Sequence, residues 1–448
     1  MISWLKGFVL AILSPIALPL VYVSAFMTVV SSIFKNANWS LFVLVALIPL
    51  PNLWYMLHPY PLGKDLIDFL FFGTLIGIFV NKDGLAKSQN TAFLLFFILV
   101  NYVALWNSSL RFYLPAPVTT ENTLLADWKN YAEMIFLYFL VLSTVREDKE
   151  LKTVLLIATT VILLIVVREY RNFTEGAAFS YDRRSEGPFW VVGLGANHLG
   201  AFVAEYGALL LGLFLCDDDK KRRWLYLATV LFSIHPLFFS YSRGAYIAAV
   251  AAMVFFGIVK SRKLLALAAV LFISWQTILP VTVAERIAMT ESPGGRLEAS
   301  AAHRIELWED AKAMFQENPI FGVGFGGFGL SVPPDETLTD THNFYMKMLS
   351  EQGLIGITLF VMLLLRAFRS GWQLYRMAPT PFYKGLGLGF LGCIVACSVA
   401  NIFGDRWSYF VLGGYLFVFW GLVDRAILIS KAAAETPNSN LSAPDASP

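Results

Sequence analysis

Long apolar stretches separated by short polar ones run through the whole chain, and they predict helices that cross a lipid bilayer. They occupy residues 8–34, 39–57, 66–81, 91–112, 128–145, 152–168, 189–215, 224–240, 242–259, 263–282, 342–365, 383–404 and 407–428. A spanning helix needs roughly 20 mostly apolar residues, because the hydrocarbon layer is about 30 Å thick and each residue rises about 1.5 Å. The runs are continuous rather than alternating, which argues against a transmembrane β-barrel. The expected fold class is therefore an all-α polytopic membrane protein of about twelve transmembrane helices. Pro15 and Pro19 make the first run either one kinked span or a short hairpin. That run is too long for a cleavable signal peptide, and no small-residue cleavage site follows it.

Composition agrees with the pattern. The 448 residues are 57% hydrophobic and 15% charged, against roughly 25% charged in soluble domains, and mean hydropathy is +0.62. A net charge of +2 gives no reason to expect a nucleic acid partner. Cys216, Cys393 and Cys397 provide no disulfide framework, and the last two read as small packing residues four apart in an apolar run.

Loop charge supplies an orientation, since short cytoplasmic loops carry the excess of Lys and Arg. "CDDDKKRRW" (216–224), "KSRK" (260–263) and "RAFRSGWQLYR" (366–376) are basic and belong inside. Alternation then puts 113–127, 169–188, the turn at Ser240–Arg243, the loop 283–341 and the turn near Asp405 outside. The expected organisation is a helical bundle over 1–282, a long outer loop over 283–341, further membrane helices over 342–430, and a tail over 431–448 whose Pro-, Ser- and Ala-rich composition predicts disorder.

The loop 283–341 is far longer than the others, and such loops are usually functional. Within it, Ile305, Trp308, Ala311 and Phe315 recur at helical spacing and predict an amphipathic helix over 303–316. The stretch "GVGFGGFG" (322–329) has G-x-G-x-x-G spacing through Gly322, Gly324 and Gly327. A dinucleotide fingerprint would require a βαβ unit around it, which the apolar runs exclude. Two readings stay open: a close-packing turn, or a bare backbone that a bulky ligand can approach.

His342 stands where this loop meets the next apolar run. At 100° per residue, Asn343, Lys347, Ser350 and Glu351 form one polar stripe below it. Intramembrane ionisable residues face the bundle interior or a wet cavity, which makes the stripe a candidate site. Lys347 and Glu351 are also at i,i+4 spacing and could neutralise each other. His342, at the watery end, could take a proton from a hydroxyl nucleophile. The other histidines are His58, His198, His235 and His303.

Arginines on the outer face run against the charge rule. Arg243 in "SYSRGAY" (240–246) is one, Arg183 and Arg184 are two more, and Arg304 lies in the long loop. Each could anchor to lipid headgroups, or grip a phosphate through the bidentate guanidinium. Asn197 and His198 follow just inside the next run. Together they point to an anionic substrate such as a lipid-linked pyrophosphate. No D-x-D and no His/Cys cluster accompanies them on the outer face, so arginine is expected to hold the pyrophosphate in place of Mg²⁺. Asp405 and Arg406 in "GDRW" could pair with each other.

These residues resemble the hallmark region of the O-antigen ligase and O-antigen polymerase superfamily. The resemblance rests on Arg304 and Trp308, then Pro319, Gly322 and Gly324, then His342, Asn343, Glu351, Gly353 and Gly356. Upstream, "SYSRGAY" is similar to a Ser-Arg-Gly segment of that family, and Arg184 through Gly187, Phe189, Asn197 and Gly200 to another motif. Ala196 stands where the family has a proline, and either Arg183 or Arg184 fills the arginine position. The resemblance implies a metal-independent membrane glycosyltransferase with a GT-C-like bundle, a large periplasmic loop and no cofactor. It implies a glycan donor on undecaprenyl pyrophosphate and a lipid-core, glycan or protein acceptor, met on the periplasmic side of the bacterial inner membrane in lipopolysaccharide or other surface polysaccharide synthesis. Arg184 and Arg243 would grip the pyrophosphate and His342 would deprotonate or orient the acceptor. The competing functional readings are a repeat-unit polymerase or protein O-oligosaccharyltransferase of the same superfamily, a small-anion transporter, and a structural partner in an envelope complex.

Overall fold

A computed structural model describes residues 2–81, 84–174, 178, 180, 182–289, 291–292, 296–297, 299–332 and 340–435. The first half consists of α1 (Ile2–Phe34), α2 (Asn38–Leu47), α3 (Pro51–Tyr55), α4 (Leu66–Val80), α5 (Thr91–Arg111), α6 (Thr123–Thr144), α7 (Asp148–Asn172) and α8 (Ala196–Cys216). There follow α9 (Lys220–Phe239), α10 (Arg243–Val259), α11 (Arg262–Ile278), α12 (Val281–Ala288), α13 (Ala299–Glu317) and α14 (Gly327–Ser331). The chain closes with α15 (Phe344–Met377), α16 (Pro381–Ala400) and α17 (Phe410–Glu435). Beside these helices the described residues hold only two 3-10 turns and a two-residue antiparallel pairing of Glu291–Ser292 with Arg296–Leu297.

Among the described residues, α5, α7, α8, α15, α16 and α17 are long and apolar enough to cross a membrane. Several helix starts in the bundle are set by side chains that satisfy free backbone N–H groups. Asn122 accepts from Leu124 N at the head of α6, Asp219 from Arg222 N at α9, and Thr380 from Tyr383 N at α16. The core lies between α6, α8, α15, α16 and α17, where Tyr138, Tyr206, Tyr415 and Trp420 are fully buried. The small residues of "GLGLGFLG" act as expected of close helix packing: α16 meets α8 so tightly that a Cβ on Gly389 would fall 2.1 Å from Leu209 O.

Several expected boundaries change. The run 39–57 is two helices, because Pro51 lacks an N–H and keeps Leu50 out of the helical region. The run 189–215 starts with a 3-10 turn, Gly187–Val192, and becomes α-helical only at Ala196. "RAFRSGWQLYR" is not a loop: it continues α15 to Met377, since Ala367, Ser370, Gly371 and Leu374 bury one face while Arg369 and Arg376 are exposed. The tail begins as the last turns of α17 through Glu435, and 436–448 lie outside the described residues.

The largest departure concerns 342–365, expected as one uninterrupted helix. Gly353 breaks it, at φ +60 and ψ −154. The break frees backbone groups on both sides, and the glycine-rich segment satisfies them. Val323 N donates to Ser350 O (2.9 Å) and Gly324 N to Glu351 O (2.7 Å), while Leu354 N donates to Pro319 O (2.8 Å) and Ile355 N to Ile320 O (3.3 Å). On the other side Phe325 N donates to Ala104 O in α5 (3.0 Å). Residues 319–325 thus thread between α5 and α15 instead of lying free outside the bundle. Of the two readings open for these glycines, close packing holds: a Cβ on Gly322 would meet the Glu351 backbone at 2.3 Å, and one on Gly324 the Ser108 backbone at 2.3 Å.

Gly353→Ala should therefore cost the protein heavily. It combines a backbone region that is essentially glycine-only, worth about 1–3 kcal/mol, with a Cβ placed 2.5 Å from Ile320 O. Gly193→Ala is the control: its φ is +75 but its Cβ would meet nothing within 4 Å, so only about 1–2 kcal/mol of strain is expected. Thermal unfolding of purified protein in detergent should show a much larger fall for Gly353→Ala, and equal falls would refute the sealing role.

Candidate functional site

The α15 helix opens with a tight polar turn. Asn343 is its N-cap, its Oδ1 accepting from Tyr345 N (3.0 Å) and Met346 N (3.2 Å). His342 precedes it with φ +50, an uncommon backbone region for a residue other than glycine. Asp340 holds this conformation, accepting from His342 N at 3.3 Å while its Oδ2 lies 3.6 Å from His342 Nδ1. Trp308 of α13 donates its Nε1 to Thr341 O (3.0 Å), which ties the loop helix to the same turn. The buried face of α13 is rotated from the expected one. Leu307 and Ala311 are buried with Trp308 and Met314 against them, whereas Ile305 is 40% exposed. Packing against α15 and Phe328, rather than apolar spacing alone, selects that face.

Burial pushes the His342 imidazole below its ordinary pKa, Asp340 works in the opposite direction, and the charges of Arg304 and Arg406 add to the lowering. The neutral, proton-accepting form is accordingly favoured at neutral pH.

The two outer arginine segments meet. Arg184 donates from Nε and Nη2 to Ser240 O (2.8 and 2.6 Å) and from Nη2 to Asn197 Oδ1 (2.7 Å). One side chain thus joins the loop before α8, the first turn of α8 and the α9–α10 turn that carries Arg243. Ser242 caps α10, and Arg243 is its first residue. Arg183 is exposed, while Arg184 is half-buried and built into the fold.

The polar stripe of α15 is connected differently from the expected i,i+4 pair. Lys347 Nζ pairs with Asp405 Oδ2 at 2.8 Å rather than with Glu351. Asp405 also accepts from Ser408 N (2.9 Å), Ser408 Oγ (2.5 Å) and Trp407 N (3.1 Å). Burial opposes its charge, but Lys347 and Ser408 outweigh it and hold the carboxyl below the usual range. Glu351 Oε1 instead accepts from Phe328 N at the Gly-rich turn (3.4 Å). Nor do Asp405 and Arg406 pair through their side chains. Arg406 Nη1 reaches His198 Nε2 (2.7 Å), beside the Asn197 that holds Arg184. Residues 405–408 thus link the Lys347 stripe to the Arg184 cluster.

Sequence reasoning named His198, Asp405 and Arg406 but gave them no joint role. The available signal was the polar "GDRW" between two apolar runs; the partner 208 positions away was not legible. Lys347 and Glu351 also line a cavity of about 570 Å³ between α4, α6, α15 and residues 408–411. His342, Arg184 and Arg243 are not among its lining residues.

Asp405→Asn should destabilise the protein by about 3 kcal/mol, because it leaves the Lys347 ammonium without its carboxylate. Lys347→Met in the same chain should recover much of that loss. A double-mutant cycle by thermal unfolding measures the coupling, and additive effects would contradict the pairing.

Comparison with known proteins bears on this same region. No curated protein matches the chain. Residues 227–361 do match a family model described as O-antigen ligase. The matched segment runs from within α9 to the part of α15 beyond its break, and so contains Arg243, Arg304, Trp308, Gly322, Gly324, His342, Asn343, Lys347 and Glu351. Arg183, Arg184 and Asn197 lie outside it. The match is to the superfamily that the motifs resemble: over residues 227–361 the chain is similar to O-antigen ligases.

Proposed function

We propose that this protein transfers a glycan from undecaprenyl pyrophosphate to an acceptor hydroxyl at the periplasmic face of the bacterial inner membrane. The observation that carries the reading is the convergence of Arg184 with the Arg243 turn, joined through Asn197, His198 and Arg406 to the turn below His342. Cationic side chains with rigid backbones suit a diphosphate, and a half-exposed neutral imidazole suits a hydroxyl.

In this reaction the acceptor oxygen attacks the anomeric carbon, the glycosidic C–O bond to phosphate breaks, and undecaprenyl pyrophosphate leaves. His342 takes the proton of the acceptor hydroxyl. Arg184 and Arg243 neutralise the charge that gathers on the departing pyrophosphate, with Arg304 on the loop side and the exposed Arg183 as a further contact. Pyrophosphate is a good leaving group, so positioning and charge stabilisation carry most of the work and no metal ion is required. Asn343, Trp308 and the Gly322–Gly324 segment hold the turn in place. A polymerase or a protein O-oligosaccharyltransferase would use the same chemistry on a different acceptor. The broken helix gives transport no support, because the break at Gly353 is filled by backbone from 319–324 instead of opening to an ion.

The test supplies purified protein with undecaprenyl pyrophosphate-linked glycan and a panel of lipid-core, glycan and peptide acceptors. His342→Ala should lower transfer by about 10²–10⁴-fold, and Arg243→Ala should abolish most of it. Wild-type rates from both variants would overturn the site, and anion flux across liposomes without transfer would overturn the enzyme. The pH profile adds a signed prediction. Activity should fall only below the ordinary imidazole pKa of about 6.5, where His342 becomes protonated. Asp340→Asn removes the carboxylate that raises the His342 pKa, so its acid limb should move to still lower pH.

A further inference from the structure

We propose that the cavity beside Lys347 and Glu351 is the saccharide subsite, and that it takes a neutral or amino sugar rather than an anionic one. This rests on the transferase reading above and adds the substrate class. The cavity measures about 570 Å³, within the roughly 300–1,000 Å³ of small-molecule sites, and so fits a short glycan.

Charge favours such a ligand. Five carboxylates and three lysines line the cavity. Two of those lysines are already engaged: Lys129 with Asp68 (2.5 Å) and Glu133 (3.5 Å), and Lys347 with Asp405, which is not part of the lining. What remains is an excess of acceptor oxygens, which repels phosphate and uronate and attracts hydroxyl and N–H donors.

Unmet hydrogen bonds favour it too. Glu133 is 7% exposed and Gln352 is 4% exposed. Both line the cavity, yet Glu133 Oε1 and Gln352 Oε1 have no partner. Buried acceptors left unpaired cost about 1–3 kcal/mol each, so an occupant that donates to both is expected. Sugar hydroxyls do, and phosphate offers no donors. Rings of Trp54, Tyr131 and Tyr409 add apolar faces for the sugar carbons.

Position completes the case. Tyr409 lines the cavity, and its ring lies 5.3 Å from that of His198, the partner of Arg406. Residues 405–409 therefore stand between the acidic cavity and the arginine cluster. A donor whose reducing-end sugar and pyrophosphate meet at the edge of that wall would reach the arginines with its diphosphate and the cavity with its more distant sugars.

Binding to purified protein in nanodiscs tests this with lactose, chitobiose and glucosamine disaccharide against digalacturonate and inorganic pyrophosphate. At least one neutral or amino disaccharide should bind more tightly than digalacturonate. Glu133→Gln and Gln352→Met should each weaken it about fivefold or more, the equivalent of one hydrogen bond. Arg243→Ala should leave saccharide binding intact while weakening pyrophosphate. Thermal unfolding confirms that both cavity variants fold, and two conservative replacements guard against failure of one. Preference for digalacturonate, absence of saccharide binding, or unchanged affinity in folded variants overturns the proposal. If the variants bind normally while Arg243→Ala abolishes transfer, the cavity assignment fails and the transferase reading stands. If wild type binds saccharide but transfers none, the reverse holds.

Discussion

A helix broken inside a bundle leaves backbone N–H and C=O groups that lipid cannot satisfy, each costing several kcal/mol. At Gly353 those groups are met by Pro319, Ile320, Val323 and Gly324, and the rest of the site follows from that seal. It brings the long loop between α5 and α15, sets the Phe328 backbone against Glu351, and leaves α13 lying against the head of α15. Once α13 is held there, Trp308 can reach Thr341 and support the turn that carries His342.

Two consequences for chemistry come from the same arrangement. The His342 turn is tied at both ends, its left-handed residue bonded to Asp340 and the helix start beyond it capped by Asn343. The segment 405–409 faces two ways, sending Asp405 to Lys347 and Arg406 to His198. Opposite charges in neighbouring residues are thus used to divide the face into an acidic cavity and an arginine-rich side. A lipid-linked glycan has the matching division, with hydroxyls at one end of the reacting bond and phosphate at the other.

Much of the helix pattern was legible because an unbroken apolar run of about 20 residues matches the thickness of a bilayer's hydrocarbon layer. Boundaries failed where a polar sequence continues a helix with one buried face, as in 366–376, or where proline interrupts an apolar run, as at Pro51. His342, Arg184 and Arg243 were visible as charges in costly places, and the fold brings Arg184 to the Arg243 turn. The ion pair of Lys347 was not legible: i,i+4 spacing offers Glu351, whereas the actual partner is 58 residues away. Long-range pairing leaves no local signal. The Gly-rich stretch could not be resolved from sequence either, since tight packing and ligand approach both need residues without side chains.

The central claim is that the diphosphate lies on the arginine side of residues 405–409 while the glycan extends into the cavity on the other. An electron cryo-microscopy map of the His342→Ala chain with an undecaprenyl pyrophosphate-linked glycan tests it most directly. The account predicts diphosphate density within hydrogen-bond distance of Arg184 or Arg243 and sugar density reaching Glu133 and Gln352. Diphosphate density inside the cavity beside Lys347, with the glycan pointing toward the arginines, would contradict it.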